Sequence, residues 1–275
     1  MSAVSDIHSR IEEQSVKSPL LRTMTGLALG VCTAISAQAA TASASLSNVH
    51  LQLIDLDPND GITAAISFNG DTSTYNNAYW SLNGSYQAGD WQYAPGLGVA
   101  IPAVAVSGVG FSASASSTAG DLFQGAGWGG SAQASAVTAG VRSTAYAETY
   151  AGQFTLAPHT LLVLMADSPA ATVSAALGEY ASASAYLSVQ SLDGSTQGSA
   201  YAQAYINADG AGYSNAPSFL QVSFVNLSGT AISGYLYGEA YAYASAAPVP
   251  EPGSAALMLG GLLGAGALLR RRARR

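Results

Sequence analysis

Cysteine is almost absent from this 275-residue chain, and charged residues are scarce. The single cysteine, Cys32, cannot form a disulfide within the chain, and cysteine-based zinc sites are excluded because they need several thiolates. Stability must therefore come from packing, for which a chain of this length is large enough. The sequence also lacks a P-loop and the dinucleotide-binding glycine motif, so it offers no signature of a nucleotide-dependent enzyme.

Charged residues make up 9% of the chain and are unevenly placed. Between residues 40 and 247 the only base is Arg142. The same stretch contains twelve acids: Asp55, Asp57, Asp60, Asp71, Asp90, Asp121, Glu148, Asp167, Glu179, Asp193, Asp209 and Glu239. Proteins bind nucleic acids through cations that displace the counterions of phosphates. A body this acidic excludes nucleic-acid binding.

The N-terminus has the pattern of a secretory signal peptide. Two basic residues precede an apolar stretch that ends in Ala37-Gln38-Ala39. A basic region, a short apolar region and a small-x-small site together predict a helical signal peptide over residues 1–39, cut after Ala39. A lipoprotein signal ending at Cys32 is the alternative. Both interpretations predict export.

The body of the chain alternates in hydrophobicity with period two, which is typical of β-strands. Residues 49–53 and 62–68 flank the turn-rich DPNDG and predict a β-hairpin. Residues 160–166 and 219–227 are more uniformly apolar and predict central strands. Residues 110–134, rich in Gly, Ser and Ala, fit either loops or weakly specified strands.

Tyrosines mark four further strands, at residues 146–150, 180–186, 201–205 and 235–243. Each predicted strand places tyrosines on one face and small residues on the other. No amphipathic helix is evident in the body. These patterns predict an all-β fold over residues 40–248, an antiparallel β-sandwich that is jelly-roll-like.

One loop has spaced oxygen ligands for a hard cation. Asp55, Asp57, Asn59 and Asp60 resemble the opening of a calcium loop. The next glycine comes one position late, and Ile66 stands where a bidentate glutamate is expected. Calcium is therefore one hypothesis, and a polar turn capped by its own Asp and Asn side chains is the other.

The pattern Tyr-x-Glu-x-Tyr occurs twice, and its six residues are Tyr146, Glu148, Tyr150, Tyr237, Glu239 and Tyr241. A carboxylate between two rings on one strand face could bind a sugar, with rings against CH groups and the acid accepting hydroxyl protons. Tyrosine also simply suits a partly wet strand face. The glutamates could instead form a glycosidase pair, whose separation the sequence does not give.

The sequence identifies no activated nucleophile or base. His50 and His159 have no paired ligand spacing, and there is no Gly-x-Ser-x-Gly elbow. The protein is therefore predicted to be non-enzymatic and to need no cofactor other than the hypothetical calcium.

The C-terminus combines a rigid motif, an apolar run and a basic end. Residues 253–269 carry no charge, and as a helix they would span about 25 Å, the short end of a membrane crossing. They are followed by Arg270, Arg271, Arg272, Arg274 and Arg275, which the positive-inside rule keeps cytoplasmic. The pattern predicts a single transmembrane helix with the body outside.

The segment 249–275 resembles the PEP-CTERM sorting domain of Gram-negative bacteria. The resemblance is carried by Val249, Pro250, Glu251 and Pro252, by the Gly- and Leu-rich run, and by the arginine cluster in that order. It implies recognition and cleavage near the motif by an exosortase, an integral-membrane cysteine protease-transpeptidase. It also implies transit through the inner membrane and a final place at the cell surface or outside the cell, in organisms that make exopolysaccharide and biofilm.

Together these features predict an exported protein of the cell surface or extracellular matrix that associates with exopolysaccharide. Three alternatives stay open: a carbohydrate-binding or adhesive module with a defined sugar site, a polysaccharide-active hydrolase, and a self-assembling fibre built from the Ala/Ser stretches.

Overall fold

The structure is a computed structural model that describes residues 39–123, 127–194, 197–209, 212–247 and 260–262. The chain divides into two units, one within Ala37–Val249 and one made of Met1–Ser36 and Pro250–Arg275. In the second unit only residues 260–262 are described, and they are helical. The signal peptide up to residue 38, the sorting motif, the arginine tail and the rest of the predicted membrane helix lie outside the described residues.

Among the described residues, no helix is both long and apolar enough to cross a membrane.

Two sheets make up the described part of the larger unit. The first, sheet A, contains β1 (Ala40–Asp55), β5 (Val104–Gly108), β6 (Phe111–Thr118), β7 (Trp128–Ala136), β9 (Thr160–Ser174), β12 (Gly212–Asn215) and β13 (Phe219–Asn226). Its strand order is β12-β9-β1-β7-β6-β5, and β13 also pairs with β9.

Sheet B contains β2 (Ile66–Phe68), β3 (Thr72–Leu82), β4 (Ser85–Pro95), β8 (Val141–Leu156), β10 (Leu177–Ser191), β11 (Gln197–Asp209) and β14 (Ile232–Ser245). Its order is β11-β10-β14-β8-β3-β4, and β2 also pairs with β8. All the pairings in both sheets are antiparallel. The all-β, sandwich-like prediction is confirmed. The jelly-roll-like connectivity stays a prediction.

The sheets pack through inner faces that are built mostly from alanine. The buried alanines include Ala42, Ala44, Ala132, Ala134, Ala145, Ala147, Ala183, Ala185, Ala240 and Ala242. Cα atoms of β1 and β14, which belong to opposite sheets, approach within 8 Å, whereas stacked sheets typically lie about 10 Å apart. Small side chains thus allow a close approach of the two backbones.

Larger side chains fill the rest of the core. Trp128 is fully buried. Phe154 of sheet B and Phe224 of sheet A meet edge to face, with ring centroids 5.5 Å apart, and Trp80 stacks on Phe111 at 4.3 Å. These contacts join the two sheets and bury apolar area that stabilises the sandwich.

Two strand predictions are wrong in their pairing. Residues 49–53 lie in β1 of sheet A, whereas β2, which keeps only residues 66–68 of the predicted partner, pairs with β8 in sheet B. The two runs therefore form no hairpin, because alternation specifies a strand but not its neighbour. Residues 219–226 form β13, which among the described strands pairs only with β9 and exposes every second residue. It is an edge strand rather than a central one.

The open question about residues 110–134 is answered for the residues that are described. Phe111–Thr118 and Trp128–Ala136 form β6 and β7, which pair with each other in register. Their alanines point into the core and their serines point outward, except Ser117, whose hydroxyl is buried. The Ala/Ser alternation is therefore that of half-buried strands.

Candidate functional site

The two Tyr-x-Glu-x-Tyr segments lie side by side. The first motif lies on β8 and the second on β14, and these two strands are neighbours. Their antiparallel register pairs like residues with like: Tyr146 with Tyr241, Glu148 with Glu239, and Tyr150 with Tyr237. Directly opposite side chains in a sheet have Cβ atoms about 4.5–5.5 Å apart. The structure therefore brings all six predicted sugar-contact residues into one cluster.

This cluster is the centre of a larger aromatic surface on the outer side of sheet B. We call it the aromatic face and define it by the residues Tyr75, Tyr79, Tyr86, Trp91, Tyr93, Tyr146, Tyr150, Tyr180, Tyr186, Tyr235, Tyr237, Tyr241 and Tyr243. It crosses β4, β3, β8, β14 and β10, a width of about 19 Å at the usual strand spacing. Alanines on the same strands point the other way, into the core.

Neighbouring rings of the aromatic face contact one another across the strands. Tyr75 lies between Trp91 and Tyr146, with centroid distances of 6.2 and 5.6 Å. Tyr237 lies between Tyr150 and Tyr186, at 6.3 and 6.1 Å. Such pairs stabilise the sheet by about 0.5–1.5 kcal/mol each beyond the area they bury. The face is thus an ordered set of ring surfaces.

The outer edge of the face is the most exposed part, and sequence analysis missed it. Trp91 is 62% exposed, Tyr86 66% and Tyr93 53%. All three lie on β4, the edge strand of sheet B. The signal was present in the sequence as the alternating run Trp91-Gln92-Tyr93. Exposed, planar side chains on a sheet are suited to contact the flat faces of sugar rings.

The two glutamates share one phenol. The Tyr237 hydroxyl lies 3.0 Å from Glu148 Oε2 and also within hydrogen-bond distance of Glu239 Oε2. It has a single proton, so it can donate to only one of the two carboxylates at a time. The other carboxylate must take its hydrogen bond from solvent, from a further proton or from a bound ligand.

Burial raises the pKa of both glutamates above the ordinary value. For Glu148, the charge of Glu239 raises the pKa further, and the hydrogen bond from Tyr237 opposes both effects. For Glu239, burial is likewise the larger effect, and the same hydroxyl opposes it. Burial beside the two carboxyls also raises the pKa of Tyr237, so its hydroxyl stays protonated. The cluster therefore holds acidic protons more tightly than exposed carboxyls do.

Tyr146 is fixed by an amide on the neighbouring strand. Asn77 Nδ2 donates to the Tyr146 hydroxyl at 2.9 Å and to the Tyr75 hydroxyl at 3.2 Å. Burial raises the pKa of Tyr146 to about 12. Burial also raises the pKa of Tyr241, across the sheet from Tyr146. These hydroxyls remain neutral donors or acceptors at any physiological pH.

A hydrogen-bonded phenol distinguishes this pair of glutamates from the carboxyl pair of a glycosidase. In a retaining glycosidase two carboxyl groups stand about 5–5.5 Å apart with the scissile bond between them. Here the Tyr237 hydroxyl lies within hydrogen-bond distance of both Glu148 and Glu239. The carboxyls can accept hydrogen bonds from a ligand beside the rings, which is the chemistry of a binding site.

The predicted calcium loop joins β1 to β2 and is arranged as a series of turns. The Oδ1 atoms of Asp55, Asp57 and Asp60 accept backbone N–H bonds from residues 57, 59 and 62, at 3.0, 3.3 and 2.7 Å. These are Asx turns, the alternative that sequence analysis left open. Calcium binding by Asp55, Asp57, Asn59 and Asp60 stays a prediction.

His159 joins this loop, a contact that sequence spacing did not suggest. Its Nδ1 lies 2.5 Å from Asp60 Oδ2, and this hydrogen bond lowers the pKa of Asp60. Ligand atoms of Asp57, Asp60 and His159 lie within 4.8 Å of one another. Calcium prefers oxygen ligands only, so the histidine makes this trio a poor calcium set. The contact instead ties the β1–β2 loop to the turn between β8 and β9.

No family model, curated protein or solved structure matches the chain.

Proposed function

We propose that this protein is an exported, non-enzymatic component of the bacterial cell surface or extracellular matrix that contacts exopolysaccharide through the aromatic face. A helical signal peptide over residues 1–39 directs export. A transmembrane helix over 253–269 holds the chain in the inner membrane while an exosortase processes it at Val249–Pro252. The larger unit, which contains residues 40–248, then acts outside the cell as a jelly-roll-like sandwich.

The observation that carries the binding role is the register of β8 and β14. Two short motifs nearly ninety residues apart in sequence meet in register, and their rings continue across three more strands. A sheet needs only one buried face to fold. The number of aromatic rings on the outer face therefore exceeds what folding requires. A broad array of rings and hydroxyls matches the CH faces and hydroxyls of a sugar chain.

Acidity supports the same role. A chain with so few bases is repelled by nucleic acids and by anionic membrane surfaces. Neutral or cationic glycans are matrix polymers that do not meet this repulsion. The sorting signal and the aromatic face thus point to the same surroundings.

We expect Trp91→Ala combined with Tyr93→Ala to weaken binding of the full-length protein to the producing organism's exopolysaccharide by about tenfold or more, because each ring that is removed takes away apolar contact area that contributes roughly 1 kcal/mol. Co-sedimentation with the purified polymer measures the change. Phe219→Ala is the matched control, since Phe219 is 57% exposed but lies on the edge of sheet A.

Equal binding by the wild type, the double variant and the control would remove the aromatic face from the proposal. Turnover of the polymer that disappears in Glu148→Gln or Glu239→Gln would instead establish a hydrolase.

A further inference from the structure

We propose that the aromatic face selects a polysaccharide that carries protonated amino groups, and that Glu148 and Glu239 receive the ammonium group. This inference rests on the proposed function and names the class of glycan. The ligand is an amino-sugar polymer with free amines, as opposed to a fully acetylated, neutral or uronic-acid polymer.

Charge complementarity is the first argument. Glu148 and Glu239 lie at the centre of the aromatic face, and Arg142 is the only base in the body of the chain. Arg142 lies on β8 six residues before Glu148, a distance of about 20 Å along a strand. This exceeds the Debye length of about 8 Å at physiological ionic strength, so Arg142 does not neutralise the pair. An anionic polymer would be repelled and a cationic one attracted.

The hydrogen bonds of the pair supply the second argument. Among the described residues, the bonds to both carboxyls end on Oε2 and come from the one Tyr237 hydroxyl. That hydroxyl leaves one carboxylate without a donor, as described above. An ammonium group has three donors and no acceptor, so it can satisfy both carboxylates at once. Charge-assisted bonds of this kind are the stronger class of hydrogen bond.

The rings around the pair supply the third argument. Tyr75 stands opposite Glu148 on β3, and Tyr186 stands opposite Glu239 on β10. Both glutamates are only partly buried, so a ligand lying on the face reaches them. Tyrosine rings attract cations through their faces, and the same rings contact the CH groups of the sugar. The pair is thus framed on both sides by surfaces that suit an amino sugar.

Binding should release a proton. Burial raises the pKa of both glutamates, so the empty pair binds a proton at a higher pH than an exposed carboxyl does. When the ammonium group enters, both glutamates become carboxylates and that proton passes to the buffer. No covalent bond changes, and charge is conserved because one cation replaces another.

Isothermal titration of the full-length protein at pH 6 tests the proposal with three probes of equal length: a glucosamine oligomer, an N-acetylglucosamine oligomer and an oligouronate. We expect the glucosamine oligomer to bind about tenfold more tightly than the acetylated one, and the oligouronate not to bind. Titrations in two buffers of different ionisation enthalpy should show proton release with the glucosamine oligomer alone.

The double variant Glu148→Gln/Glu239→Gln should bind the two amino-sugar oligomers equally and release no proton. The control Asp55→Asn/Asp57→Asn removes two charges from the β1–β2 loop and keeps the Oδ1 acceptors of its turns. It should retain the wild-type preference. If the control loses the preference as well, net charge rather than the pair is responsible and the proposal is wrong.

The wild-type ranking decides the matter even if the double variant does not fold. Equal affinity of the wild type for the aminated and acetylated oligomers overturns this inference and leaves the proposed function standing. If the exopolysaccharide and all three probes fail to bind, the proposed function fails with it.

Discussion

Glu148 and Glu239 stand directly opposite each other on β8 and β14, an arrangement of like charges that ordinarily destabilises a sheet. The Tyr237 hydroxyl, which lies within hydrogen-bond distance of both carboxyls, reduces the repulsion. Because burial raises the pKa of both carboxyls, the folded protein binds more protons than the unfolded chain above the ordinary glutamate pKa of 4.5. The free energy of unfolding therefore falls as pH rises from that value through the raised pKa values.

We expect Glu148→Gln/Glu239→Gln to unfold at a temperature a few degrees higher than the wild type at pH 8, and the difference to shrink at pH 5, because the raised pKa values let the wild-type pair gain protons as the pH falls. Thermal unfolding followed by circular dichroism at both pH values measures it. Asp60→Asn is the control, because the lowered pKa of Asp60 makes its contribution to stability depend on pH only below 3.8, so the change in unfolding temperature should be the same at pH 5 and pH 8. A wild type that is more stable at pH 8 than the double variant would contradict the assignment.

The sequence identified the glutamates and tyrosines as candidate site residues, but it did not predict that the two motifs lie side by side. Tyr-x-Glu-x-Tyr on a strand fixes which side chains share a face, since the period of a strand is two. The pairing of Glu148 with Glu239 depends on which strands are neighbours and on their register. Neither is a local property of the chain, and the same holds for the contact between Asp60 and His159.

For the strands, the alternation of hydrophobic residues predicted which face of the sheet each side chain lies on, but it did not predict which strands pair. The face assignment of β14 is confirmed, with alanines buried and tyrosines half-buried. The hairpin predicted from residues 49–68 failed because its two runs belong to different sheets. Edge and central positions were confused at β13, where apolar residues such as Phe219 and Val225 are exposed.

The close packing of the alanine-rich inner faces limits the size of the side chains that these positions can accept. Ala240 is fully buried on β14, opposite Ala185 and Ala147 on the flanking strands. We expect Ala240→Leu to lower the free energy of unfolding by about 1–3 kcal/mol, because the closely packed sheets have no room for the added carbons.

Urea denaturation measures this loss. The control is Ala88→Leu on the edge strand β4, where Ala88 is exposed and the larger side chain points into solvent. Similar midpoints for Ala240→Leu and the wild type would show that the sheets can separate to admit a larger residue.

For the molecule as a whole, the two ends of the chain and its larger unit have separate tasks in the proposal. The larger unit carries the aromatic face, and residues 249–275 carry the proposed sorting signal. The resemblance that suggested this signal depends on the order of short local motifs, which a single sequence displays fully. The sandwich depends on pairings between distant segments, which a single sequence displays only in part.

We expect the mature protein from a host with an active exosortase to lack the residues that follow the Pro-Glu-Pro motif, and the protein from an exosortase-deficient host to retain them. Intact mass spectrometry of the secreted and membrane fractions measures the C-terminal mass. Pro250→Ala/Pro252→Ala should behave like the deficient host. A C-terminus unchanged between the two hosts would remove the sorting proposal and leave the aromatic face unaffected.

The alanine core also restricts how this fold can diverge. A core of Leu, Ile and Val can exchange residues of similar volume, whereas a site as tight as Ala145 or Ala183 admits little beyond Ala, Gly and Ser. Mutation at these positions is therefore confined to three small residues, which leave few of the hydrophobic landmarks by which distant relatives are aligned. Distant homologues of such a protein are better recognised by comparing the spacing and packing of their sheets than by aligning their sequences.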